Sequence, residues 1–183
     1  KLEIIAPEHF TEETASENVM AGGAMGRRAN FQFGSALKPG PQGQMGSGIG
    51  VGLSGGQLSL LRPTRIILKT GEIHTVDGVT LEFQMVPESE APAEMNVMVP
   101  ERKALVIGEI ATCSLHNILT PRGAKVRDAH KWAAYLTEAI RLFGNRSETF
   151  ASSHCWPRFG TAEISRYLGK QRDTYKYLHD QTV

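Results

Sequence analysis

Three polar residues, each following an apolar stretch, have the types to do chemistry together. Glu90 lies in Pro87-Glu-Ser-Glu90-Ala-Pro-Ala-Glu94-Met95, Glu109 follows the run Ala104–Ile107 and Gly108, and His154 sits between Phe150-Ala-Ser-Ser and Cys155-Trp-Pro157. Layered enzymes place their chemistry just beyond strand ends, where loops present side chains from a rigid sheet. Two carboxylates and an imidazole would make a donor set for a hard cation or zinc. Spacing alone also admits surface acids and a hydrogen-bonded histidine, and it favours that commoner use. A second pattern, Gly50-Val-Gly52-Leu-Ser-Gly55, has the spacing of a phosphate cradle. Such a cradle needs a strand before it and a helix opening from it. Here a proline- and glycine-rich stretch precedes and Pro63 follows soon after, so the pattern reads as part of a long loop or lid.

The elements that would position these residues follow from periodicity. Leu2–Ile5 reads as a short strand. Thr11 with Glu12 and Glu13 opens a helical stretch that runs past Phe31 and is weakened at Gly22, Gly23 and Gly26. Thr64–Leu68 and Glu72–Val76 read as strands, and Asp77-Gly78 as a tight turn. In Val79–Val86, Val79, Leu81, Phe83 and Met85 alternate against Thr80, Glu82 and Gln84, which predicts one face turned to water. Met95–Val99 follows, and the continuously apolar Ala104–Ile107 predicts a strand buried on both faces. Asp128 caps a helix bearing Trp132, Tyr135, Leu136, Ala139, Ile140 and Phe143 at helical spacing, with Gly144 expected as a left-handed terminator. Thr149–Ala151 is a short strand before His154, and Thr161 opens a last helix. Strands followed by helices, with single-strand returns between them, predict an α/β domain layered from sheet and helices.

Composition narrows the function classes. Twenty Lys and Arg against 19 Asp and Glu leave a net charge of +1 over 183 residues, without the bias of a dedicated nucleic-acid or membrane-surface protein. No apolar run reaches the roughly 18 to 20 residues of a membrane span. Cys113 and Cys155 are too few for a disulfide scaffold and lack the spacing of a zinc knuckle. The length suits one domain able to bury a continuous core.

Six collinear segments carry a resemblance across nearly the whole chain. They are Pro7-Glu-His-Phe10, Met25-Gly-Arg-Arg-Ala-Asn30, Ser89-Glu-Ala-Pro-Ala-Glu94-Met95, His116-Asn-Ile-Leu-Thr-Pro-Arg122-Gly-Ala124, His154-Cys-Trp-Pro157 and Gln171-Arg-Asp-Thr-Tyr-Lys-Tyr-Leu-His-Asp-Gln-Thr182. Together they closely resemble the alkylsulfatase branch of the metallo-β-lactamase superfamily.

The resemblance implies an αββα sandwich, a mixed sheet with flanking helices, of which residues 1–183 would be the second half of the catalytic domain. It implies two zinc ions held in part by Glu90, Glu109 and His154, with Glu109 bridging. The family's H-x-H-x-D-H motif does not occur in this sequence and is expected upstream of Lys1, so the chain alone should be inactive or incompletely metallated. His116 resembles the residue that protonates the leaving oxygen, and Asn117 and Arg122 resemble sulfate contacts. The implied reaction is hydrolysis of alkyl sulfate esters to an alcohol and inorganic sulfate, in a protein that is a homodimer when complete and is periplasmic or secreted. Phe31 and Phe33 stand where many relatives are expected to carry tyrosine. The alternatives are another hydrolase of the superfamily, such as a lactonase or thioesterase, and a non-catalytic binding module.

Overall fold

The computed structural model describes residues 2–46, 57, 59–119 and 125–183. The candidate phosphate cradle at 50–55 and the expected sulfate contact Arg122 lie outside the described residues. Among these, strands β3 (Ile73–Val76), β4 (Val79–Met85), β5 (Met95–Val99), β6 (Ala104–Val106), β7 (Thr149–Ala151) and β8 (Arg158–Phe159) form one sheet in that order. All pairings in it are antiparallel except β6 with β7. That parallel pair is joined by a crossover containing α3 (Ala129–Phe143), and α4 (Thr161–Thr182) follows β8. A separate small sheet pairs β1 (Ile5–Pro7) in parallel with β2 (Arg65–Ile67). Between them lie α1 (Phe10–Ala15), a π-turn at Ser16–Met20 and α2 (Gly22–Phe33).

The main core forms where one face of the sheet meets α3 and α4. Met98, Leu105 and Phe150 contribute from the strands, Trp132, Leu136, Ala139 and Phe143 from α3, and Ile164, Leu168 and Tyr175 from α4. Asp128 caps α3 as expected, its side chain accepting from the Lys131 amide at 2.9 Å. The mixed sheet with flanking helices agrees with the α/β expectation.

Three local expectations need correction. The polar side of β4 is not wet throughout: Gln84 is fully buried, because its amide donates to the Tyr135 carbonyl and the Glu138 carboxylate of α3 at 3.0 and 2.8 Å. Hydrogen bonds replace the lost water. Ala104–Ile107 is buried on one side only, since Leu105 and Ile107 are enclosed while Val106 is 44 % exposed on the face that the helices do not cover. Gly144 is right-handed, at φ −53° and ψ −47°. Its missing side chain instead serves a close approach, since a β-carbon there would crowd the Ile140 carbonyl and lie 3.1 Å from Ser165 Oγ on α4. The first helical stretch is interrupted by the π-turn at Ser16–Met20, and Gly22 and Gly23 open α2 beyond it.

Candidate functional site

The expected residues come from three successive exits on the same end of the sheet. Glu90 lies in the turn between β4 and β5, Glu109 follows β6, and His154 follows β7. Parallel pairing of β6 with β7 puts the latter two exits side by side, and the Ser153 amide locks them by donating to the Gly108 carbonyl at 2.8 Å. Gly108 has φ +53°, and His154 has φ +62°. A left-handed backbone at a non-glycine residue is strained and persists only where its surroundings hold it.

Glu109 is the centre of the cluster. One of its oxygens meets His154 Nε2 at 2.8 Å, and the other meets His116 Nε2 at 3.0 Å. His116 Nε2 also lies 3.3 Å from Glu90 Oε1. Donor atoms of Glu90, Glu109 and His116 all fall within 4.8 Å of one another, as ligands sharing a cation must. The structure thus gathers Glu90, Glu109 and His116 around one point, where His116 is as well placed to donate to a cation as to move a proton, while His154 meets the group through Glu109. Carboxylate and imidazole donors at this separation suit zinc or a harder divalent ion.

His116 has no strand beneath it and is held by helix side chains. Its amide approaches the Tyr175 hydroxyl at 3.4 Å, and its ring leans on Trp132 at 5.8 Å between centroids. Trp132 in turn stacks on Tyr175 at 4.1 Å and donates to the Ile110 carbonyl at 2.8 Å. Tyr167 donates to the carbonyl of Ala111, and Gln171 to that of Thr112. Two helices therefore hold the loop between Glu109 and His116 at four points. Burial pushes the Tyr175 hydroxyl up to about 12, so it stays protonated at any ordinary pH.

Sequence reasoning missed Arg127. Its guanidinium donates to the Glu90 carbonyl and carboxylate, both at 2.5 Å, and to the Asn117 side-chain oxygen at 3.0 Å. A single cation thus orients an expected metal ligand and an expected substrate contact at once. Its place one residue before the Asp128 cap was the available signal, because the start of α3 fixes where it points. Glu94 is the other omission. Burial first, and the Glu90 charge next, raise its carboxyl to about 8, while the amides of Ala91 and Glu109 pull the other way. Its Oε2 accepts from the Ala91 amide at 3.0 Å.

No family model matches the chain. It is 46 % identical over its full length to a linear primary-alkylsulfatase of Pseudomonas sp., and 42 % identical to an alkyl/aryl-sulfatase of Saccharomyces cerevisiae. It covers 27 % and 28 % of those proteins, and so spans little more than a quarter of their length. A stereoselective inverting sec-alkylsulfatase structure from Pseudomonas sp. superposes with a TM-score of 0.90 at 40 % identity, covering 98 % of this chain and 28 % of that one. A metallo-β-lactamase superfamily protein of Sulfolobus tokodaii, at 17 % identity and a TM-score of 0.54, shares the fold over 92 % of this chain and 57 % of its own. Similarity along the entire sequence makes the chain alkylsulfatase-like, matching a segment of those longer proteins, and the shared architecture gives it a metallo-β-lactamase fold.

Proposed function

We propose that the full-length protein hydrolyses alkyl sulfate esters to an alcohol and inorganic sulfate, using zinc held in part by Glu90, Glu109 and His154. The observation that carries this reading is the Glu109 carboxyl, whose two oxygens face two different imidazoles, as a carboxylate shared between two ions would. Zinc bound there would supply an activated water at neutral pH and a Lewis acid for the ester. The remaining work belongs to side chains of this chain. His116, fixed by Tyr175 and Trp132, can hold a proton for the departing alkoxide oxygen. The Asn117 side chain, tied to Arg127, and Arg122 would bind sulfate oxygens, for which a guanidinium fork is well suited. The α2 region, with Met20 and Phe31 strongly exposed, would border the alkyl chain. A homodimer belongs to the same reading.

Since a binuclear centre needs roughly three or more protein ligands per ion, the 183 residues supply part of a site whose other ligands come from elsewhere in the longer protein. The test is zinc-dependent release of sulfate from a medium-chain alkyl sulfate by the full-length protein, with light scattering for its oligomeric state. Metal-loaded protein that binds zinc yet releases no sulfate, while opening a lactone or thioester, would reassign the activity within the superfamily. Protein that takes up no zinc would overturn the metal reading.

A further inference from the structure

Glu94 lies four residues beyond Glu90 yet belongs to both loops that carry the cluster's carboxylates. Its Oε2 accepts from the amide of Ala91, the residue next to Glu90. The backbone amide of Glu109 also bears on its carboxyl, favouring the ionised form. Gly108, just before Glu109, passes so close that a β-carbon there would sit 3.0 Å from Glu94 Oε1, at a backbone φ of +53°. The main chain of Glu94 is anchored as well, its carbonyl accepting from the Val86 amide at 3.0 Å, so the side chain springs from the rigid end of the sheet.

We propose that Glu94 is a positioning residue. Its carboxyl clasps the amides beside Glu90 and at Glu109, setting the separation of those two carboxylates and hence the geometry in which a cation is received. It does not bind the cation. A carboxyl, whose two oxygens can both accept, does this where an amide cannot, because Gln turns an NH2 group toward one of the two N–H groups. Groups that orient ligands in this way typically change metal affinity about 10- to 100-fold when removed.

This inference rests on the zinc reading for its functional consequence, and the experiment separates the two. Full-length wild-type protein and Glu94→Gln are compared in three measurements. These are zinc affinity by chelator competition, the visible spectrum after Co2+ substitution, and amide hydrogen exchange of the peptides holding Ala91 and Glu109 in metal-free protein. The expected result for Glu94→Gln is zinc binding weakened about 10- to 100-fold, an altered Co2+ spectrum and faster exchange in both peptides. Wild-type affinity and spectrum in the variant would overturn the proposal while leaving the zinc reading intact. Wild-type protein that binds no zinc would overturn the zinc reading, and unchanged exchange in the metal-free variant would overturn the clasp regardless of metal. Should Glu94→Gln fail to fold, Gly108→Ala pushes on the same carboxyl from the other side, and the same three readouts decide.

Discussion

At the residue scale, the cluster joins groups whose removal should have distinguishable effects. Glu109 faces both His116 and His154, so Glu109→Gln in the full-length protein should lower zinc stoichiometry as well as activity. Metal analysis that finds the full complement in the variant would remove its bridging role. Arg127 holds Glu90 through its carbonyl and its carboxylate together, a two-pronged hold that a lysine's single ammonium does not reproduce. Arg127→Lys should therefore cost about tenfold or more in zinc affinity, read by chelator competition. Glu94 adds a pH dependence whose sign is fixed. Its folded pKa, raised to about 8 chiefly by burial, lies above the ordinary value of 4.5, so the folded state holds the extra proton between those limits. Its contribution to stability is thus present below the lower limit and lost as pH rises toward the upper one. Metal-free wild-type protein should lose melting temperature between pH 5 and pH 8 more steeply than Glu94→Gln, measured by thermal unfolding.

At the scale of elements, the helices matter to the site as much as the strands do. Trp132 is fully buried, stacks on Tyr175 and fixes the Ile110 carbonyl. Trp132→Ala should cost about 3–5 kcal/mol of stability. Tyr175→Phe removes only the hydroxyl facing the His116 amide, worth about 0.5–1.5 kcal/mol, and should lower kcat more than it raises KM. Equal loss in both parameters would argue against a role in orienting His116. Strands β2 to β7 and α3 were legible because alternation, the Asp128 cap and the buried stripe of α3 are local signals, whereas the two-residue β8 was not read and β1 lies at Ile5–Pro7 rather than Leu2–Ile5. The meeting of Glu109 with His154 was legible only through family motifs, since nothing in their spacing shows that β6 and β7 run side by side, and the place of His116 beside Glu90 and Glu109 depends on the helices. The buried Gln84 and the Arg127 fork escaped because each depends on a partner far along the chain: Tyr135 and Glu138 for the first, Glu90 for the second.

At the scale of the molecule, α3 and α4 cover one face of the sheet. Register places Phe83, Val97, Val106 and Ala151 in a row across the other face, where Phe83 is already buried and Val106 is 44 % exposed. Apolar rows of this kind mark surfaces made for covering. In the full-length protein, whose relatives are almost four times as long as this chain, Val106→Asp should destabilise as a core substitution does, by more than about 2 kcal/mol. A surface substitution would stay within about 0.5 kcal/mol. Chemical denaturation distinguishes the two outcomes.

The four holds on the loop from Glu109 to His116 all come from α3 and α4. That loop therefore has no scaffold of its own that could outlast those helices. Raising urea should extinguish the helical circular-dichroism signal and the capacity to retain an ion in one shared transition, with no intermediate in which a collapsed core persists beside an idle centre.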